Sequence, residues 1–263
     1  MKLDTNALLR GFGRKTSVDI RPLTSQEDLR ACVELQHRTW GDHYTDVVPA
    51  SILKIAARVG GVVAGAFDRS GALLGFVFGL TGVQNGVIVH WSHMLAVSPE
   101  EQNQGIGRRL KEYQRVAVAS IGAKTISWTF DPLVARNAHL NFNVLGVRAT
   151  DYVQDMYGQS SSPLHRGIGT DRLIVSWPVD DEAVAARRRE IARASCSEGA
   201  DTVHIEVPCD IAALQVSDMA AARQWRDKTR SAFQKALAQG LAIQGFQMDA
   251  ETGNGHYVLG RDP

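Results

Sequence analysis

Cysteine is scarce: Cys32, Cys196 and Cys209 are the three in 263 residues. The number is odd and no C-x-x-C pair occurs, which disfavours a disulfide framework and a zinc ribbon, so no metal site is expected. An excess of one charge is also missing. The chain carries 29 Lys+Arg against 28 Asp+Glu, a net +1, and its pI is near 7.8. That balance argues against a broad electrostatic footprint for nucleic acid or an anionic membrane. No apolar run reaches 18 residues; 59–67 and 72–83 are the longest and both contain glycine, so no membrane-spanning helix is expected. Charges at Lys2, Asp4, Arg10, Arg14 and Lys15 interrupt the stretch where a secretory leader would be apolar. A reducing cytoplasm is the expected location. Two nucleotide-binding patterns are lacking as well: neither G-x-G-x-x-G nor G-x-x-x-x-G-K-[S/T] occurs, which removes the Rossmann and P-loop readings.

What is present describes a folded globular chain. Apolar residues make up 44% and charged residues 22%, and the length suits one large domain or one domain with a smaller companion. Residues 1–16 read as a polar, mobile tail. A strand is expected at 18–22 and a helix after Ser25, whose partner Asp28 lies at capping-box distance; that helix should end at Gly41. A short helix follows Pro49. Segments 62–67, 72–80 and 87–97 read as three antiparallel strands, with Asn85-Gly86 as the tight turn between the last two. The stripe Ile106, Leu110, Tyr113, Ala117, Ile121 predicts a helix over 105–121. A strand at 125–130, a helix at 133–145 and strands at 147–153 and 172–177 follow, with Ser160-Ser161-Ser162-Pro163 in a loop. Composition shifts near residue 179. Beyond it we expect a charged helix at 182–193 with Arg187-Arg188-Arg189 on its surface, a strand at 203–207, a long helix at 218–239 and two closing strands. The stripe of the long helix is Ala222, Trp225, Thr229, Phe233, Leu237. The domain expectation is therefore a tail at 1–16, a main domain at 17–179 and a C-terminal α/β subdomain at 180–263.

The chemistry concentrates between Gly86 and Gly146. A long strand ends in Leu95-Ala96-Val97-Ser98-Pro99, and Gln102-Asn103-Gln104-Gly105-Ile106-Gly107-Arg108-Arg109 leads into a helix. Free amides at a helix N-terminus and the positive end of its dipole suit a phosphate or pyrophosphate. Gly105 and Gly107 remove Cβ atoms that would bar the approach. The plain alternative is a tight turn shaped by glycine.

The pattern Q-x-x-G-x-G after a strand ending L-x-V-x-P resembles the GNAT superfamily of acyl-CoA-dependent N-acyltransferases. Downstream, Arg136-Asn137-Ala138-His139-Leu140-Asn141-Phe142-Asn143-Val144-Leu145-Gly146-Val147 resembles the superfamily's N-A-x-x-x-Y-x-x-L-G-F segment. The resemblance covers about residues 18–178. Trp128 to Pro132, Thr170-Asp171-Arg172 and Trp225-Arg226 are similar to a bacterial group with an extra C-terminal region. It implies an α+β fold with a mixed, mostly antiparallel central sheet flanked by helices, plus a small C-terminal α/β extension. It also implies acetyl-CoA or another acyl-CoA as cosubstrate. The backbone of Gln102, Asn103, Gln104, Gly105, Ile106, Gly107 and Arg108 would hold its pyrophosphate. Leu95, Ala96 and Val97 would pair with the pantetheine arm, one N–H polarising the thioester carbonyl, and Asn137 would contact the pantetheine or the sulfur side.

An alkyl ammonium must lose a proton before it attacks a thioester. Trp91, His93, Leu95 and Val97 alternate onto one strand face, and His93 is the preferred base because imidazole titrates near neutrality. The bland reading is a hydrogen-bonded structural histidine. His90, expected on the opposite face, and Asp131 are alternatives. Where the superfamily often has a proton-donating tyrosine, this chain has Phe142, so Tyr152 or Tyr157 is the candidate donor, Tyr152 being carried forward; the plain reading of each is a packing residue with a satisfied hydroxyl. Arg223, Arg226 and Arg230 offer forks to a carboxylate or form a solvated basic face, and Asp171-Arg172 reads as an ion pair. The three cysteines read as packing residues.

The leading expectation is acetyl transfer to a primary amine of a small molecule or amino acid in a ternary complex. Succinyl transfer to an amino acid and a noncatalytic acyl-CoA-binding sensor are the rivals. A DNA-binding regulator is the weakest. The partners expected are a small amine or amino acid, no nucleic acid and no membrane, with a homodimer as one option: residues 180–263 either cover the acceptor side or make a dimer contact.

Overall fold

The structure is a computed structural model that describes residues 18–158, 167–194 and 202–261. The expected tail 1–16, the Ser160–Pro163 loop and Cys196 lie outside the described residues. The chain forms two compact units, Met1–Ser127 and Trp128–Pro263.

The first unit contains β1 (Asp19–Pro22), α1 (Gln26–Trp40), α2 (Ala50–Arg58), β2 (Val62–Phe67), β3 (Leu73–Gln84), β4 (Val87–Val97), a 3-10 turn at Pro99–Glu101, α3 (Ile106–Ser120) and the start of β5 (Thr125–Phe130). Strand order is β1-β2-β3-β4-β5. The first four strands pair antiparallel and β4 pairs parallel to β5. The Ser25 hydroxyl accepts from the Asp28 amide at 3.0 Å, completing the expected capping box, and Arg21 clasps the Asp28 carboxylate at 2.7 and 2.9 Å. Asn85 and Gly86 both take positive φ, 51° and 78°, as their hairpin turn requires.

Both faces of the sheet are covered. Leu29, Cys32 and Leu35 of α1 and Leu53 of α2 pack on Phe76, Phe78, Met94 and Ala96. Ile106 and Leu110 of α3 pack on Ala64, Ala66 and Val77 on the other side. Strand β2 is therefore buried at all six positions, which explains its continuous apolar sequence.

The second unit contains the end of β5, α4 (Ala135–His139), a π-helical turn at Leu140–Leu145, β6 (Arg148–Val153), β7 (Arg172–Pro178), α5 (Asp181–Ala194), β8 (Val203–Val207), α6 (Ile211–Ser217), α7 (Met219–Ala238), β9 (Ala242–Met248) and β10 (Gly255–Gly260). Strand β7 stands between β5 and β6, and β8-β10-β9 form a separate antiparallel sheet. The core is aromatic: Phe142 meets Phe130 at 6.2 Å and Tyr257 at 5.9 Å, and Tyr257 meets Phe233 and Phe246.

Several expectations need correction. The 133–145 helix is one short α segment that widens into a π turn and ends at left-handed Gly146. On α7 the buried stripe runs through Ala222, Arg226, Thr229, Phe233 and Ala236, because Arg226 satisfies its charge internally and Trp225 turns outward under Lys228. Arg187 is not on the surface; it is 5% exposed and donates to the carbonyls of Val147 and Ile243. Cys209 is exposed and so is not a packing residue, whereas Cys32 is buried, its thiol pushed up to about 12 by burial. Helix α6, with Asp210 as its cap, was not expected.

Candidate functional site

Strand β4 carries the candidate base and the candidate binding edge. It pairs with β3 along its length, but the register shifts between Phe78, opposite Met94, and Gly79, opposite Ser92. His93 is therefore the extra residue of a bulge. This overturns the expected alternation. Ser92 and His90 turn to α3, as do Leu95 and Val97 beyond the bulge. The His93 ring lies edge-on to Phe78 at 5.8 Å, with Met94 and Ala96 in the same α1 and α2 layer. His93 thus shares no face with Leu95 and Val97, but it does lie opposite His90.

The two histidines differ in environment. His90 is 2% exposed. Thr81 gives its hydroxyl proton to the Gly60 carbonyl at 2.6 Å, so it accepts from His90 Nδ1 at 2.8 Å. His90 Nε2 is then left to accept from the Gln114 amide at 3.1 Å. Lys111 donates to Ser92 Oγ at 2.8 Å and to Gln114 Oε1 at 3.5 Å. Burial, aided by Lys111, pushes His90 down to about 4, and burial holds the Lys111 ammonium well below its usual pKa. Gly79 makes room for this chain: a Cβ there would stand 2.3 Å from His90 Nε2. Sequence reading missed the network because Lys111 and Gln114 are polar. The available signal is their spacing, which continues through Val118 as a helix stripe. His93 is exposed instead. The protein around its ring desolvates it and lowers its pKa, against the opposing charge of Asp46.

Beyond the bulge β4 has a free edge. Among the described residues its ladder with β5 consists of His90↔Ile126 and Trp91↔Ser127. Leu95, Ala96 and Val97 pair with β3 at Val77, Phe76 and Gly75. The chain then turns through Ser98, and the Gln102 side chain donates from Nε2 back to the Val97 carbonyl at 3.3 Å. Asn103 and Gly105 adopt positive φ, 62° and 79°. Helix α3 opens on Gly105 with no side-chain cap and no acid in its first turn. Its first intrahelical bond from this end is Arg109 N–H to the Gly105 carbonyl at 3.1 Å. A Cβ on Gly105 would meet nothing within 4 Å, and one on Gly107 only Leu95 and Val97 at 3.8 Å. The amides of Ile106, Gly107 and Arg108 thus head a positive helix end with little side-chain bulk in front. Such a terminus fits a pyrophosphate.

The remaining candidates belong to the second unit. Asn137 is half-buried on α4. Phe142 is fully buried in the aromatic core. Tyr152 donates its hydroxyl to Asp171 and stacks on Phe233 at 5.2 Å; burial and then Asp171 raise its pKa. Tyr157 pairs with Thr129 at 3.0 Å. Asp131 accepts from the Leu133 amide at 2.9 Å, as a turn residue does, and from Arg226 at 2.6 Å. Asp171 pairs with Arg230 at 2.6 Å rather than with Arg172, which lies 3.7 Å from Asp131. Arg226 and Arg230 are therefore ion-paired and not part of a solvated basic face. Among the described residues no His, Cys, Asp and Glu cluster could hold a metal, and no helix is long and apolar enough to cross a membrane.

No family model matches the sequence, and no curated protein matches it. Solved structures do. The acetyltransferase of GNAT family from Streptococcus pneumoniae aligns over 62% of this chain and 100% of its own, with 15% identity and a TM-score of 0.50. An N-acetyltransferase from Staphylococcus aureus Mu50 aligns over 63% and 100%, with 14% identity and a TM-score of 0.49. Aminoglycoside 6'-acetyltransferase type Ii aligns over 62% and 97%, with 20% identity and a TM-score of 0.49. At 15% identity the first of these likenesses speaks for architecture alone. A mostly antiparallel sheet between helices gives this chain the fold of the GNAT acetyltransferases.

Proposed function

We propose that the chain is an N-acyltransferase that moves an acyl group, acetyl in the first instance, from acyl-CoA to a primary amine of a small molecule or amino acid. One observation carries this reading: the unpaired edge of β4 at Leu95–Val97 leads within a few residues to an uncapped, acid-free helix start. An extended amide-bearing arm with a diphosphate at its end fits those two features together. The backbone from Gln102 to Arg108 holds the diphosphate, and Leu95 to Val97 align the arm. His93 takes the proton from the incoming ammonium. The amine nitrogen then bonds the thioester carbon, an amide N–H of β4 stabilises the oxyanion, and as the C–S bond breaks the nitrogen's surplus proton passes to the departing thiolate, leaving amide and thiol. With a thiol pKa near 8.5, the sulfur leaves without strong acid help. Tyr152 is assigned no acid role, since its hydroxyl is already donated to Asp171 and its pKa is raised. His90 is assigned no base role because both its nitrogens are engaged. We place the binding machinery around β4 and α3 within 17–179, in a soluble, cytoplasmic protein.

Calorimetry with CoA and thiol release with acetyl-CoA or succinyl-CoA across an amine panel test this. His93→Ala is expected to lower turnover about 10²-fold or more while CoA affinity stays within twofold. Absence of binding by any CoA thioester refutes the site. Tight acetyl-CoA binding with no thiol release refutes catalysis and leaves the sensor reading, which the apolar Phe142 favours.

A further inference from the structure

Helix α7 sets Arg223, Arg226 and Arg230 along one side, at steps of three and four. With Asp155, Asp227 and the segment from Gly167 to Gly169 they line a cavity of about 280 Å³ in the second unit. Arg226 is its built element. The residue is 2% exposed; its Nε donates to the Ile168 carbonyl at 2.9 Å and its Nη2 to Asp131 at 2.6 Å. Its Nη1 is buried and has no partner among the described residues. A buried guanidinium N–H left without an acceptor bears its full desolvation cost, so a bound acceptor would be strongly favoured. The other cations are used differently. Arg230 is closed on Asp171 and Asp155. Arg223 is exposed, and its Nε donates to the Gly167 carbonyl at 3.3 Å.

We propose that this cavity binds a small monocarboxylate, with Arg226 Nη1 and the Arg223 guanidinium as its donors. The guanidinium plane matches the two oxygens of a carboxylate. Charge limits the valence: Asp131, Asp155 and Asp171 already pair with Arg226 and Arg230, and Asp227 also lines the space, so a ligand with more than one negative charge is disfavoured. A phosphate dianion would instead face Asp155 and Asp227 with charge to spare. The volume sits at the small end of ligand pockets, which suits a compact acid. This inference does not depend on acyl transfer.

The test uses the full chain, with benzoate, inorganic phosphate and benzylamine as probes. Calorimetry gives affinity, and the Gly167 and Gly169 amide resonances give location. Saturable benzoate binding that shifts both amides is expected. Arg223→Ala, at an exposed position, should weaken it about tenfold, and Asp227→Asn should tighten it severalfold; a packing role for these side chains predicts neither. No benzoate binding, binding indifferent to both substitutions, or phosphate binding tenfold tighter than benzoate would each overturn the proposal.

Discussion

His90 shows how much a single side chain's surroundings decide. Its ring belongs to the same strand as His93, yet one is sealed by Thr81 and Gln114 and the other stays open. The folded-state pKa of His90, about 4, lies below the unfolded value near 6.5. Between those values the unfolded chain binds more protons, so stability rises with pH there. We therefore expect about 3 kcal/mol to be lost as pH falls through that window, an amount set by the size of the shift. Urea midpoints measured from pH 7 to pH 4 check this, and His90→Gln should flatten the slope. Asp171 is the counterpart in the second unit. Burial works to raise its pKa, but Arg230, Tyr152 and the Asp155 amide outweigh it and hold the carboxyl below its usual value. Removing that charge leaves Arg230 with Asp155 alone. Asp171→Ala should cost about 3–5 kcal/mol, as for a broken buried pair, read from the same urea curves.

At the scale of elements, two glycines in the first unit separate conformation from space. Gly105 has φ of 79° and open surroundings. Alanine there should cost about 1–2 kcal/mol, the left-handed penalty, with weakened CoA binding under the proposed function. Gly79 sits in an ordinary strand, but its missing Cβ is the space that His90 and Gln114 fill. Gly79→Ala should cost more than Gly105→Ala without changing CoA contacts directly. Thermal unfolding of both variants, beside CoA calorimetry, checks the ordering. Elements whose signals are local were legible in advance: the Ser25 to Gly41 helix, the Asn85-Gly86 hairpin and the α3 start all depend on caps and turns that neighbours in sequence supply. The π turn at Leu140–Leu145 was not legible, because a widened turn keeps the same apolar spacing over so short a stretch. The bulge at His93 was invisible for a related reason. An inserted residue changes which partner each strand position meets, and the sequence of one strand alone does not record its partner's register.

For the whole molecule the near-cancelling charge has direct consequences. With net charge +1 and pI near 7.8, self-association measured by light scattering should be greatest near pH 7.8, where repulsion vanishes. Composition and pattern determined much else without coordinates: α+β character, nearly every strand, the glycine turn between β4 and α3, and the residue types available for proton transfer. These are properties of short segments, where backbone preference and apolar period act within a few residues. Only tertiary structure decided which histidine is open and that Lys111 lies buried. It also decided that Arg187 and Arg226 turn inward and that Tyr152 spends its proton on Asp171. Each of those depends on an acceptor or an apolar wall supplied from far along the chain. Burial and ion pairing are set by such distant partners, and a charged residue on a helix looks the same in sequence whether or not one arrives.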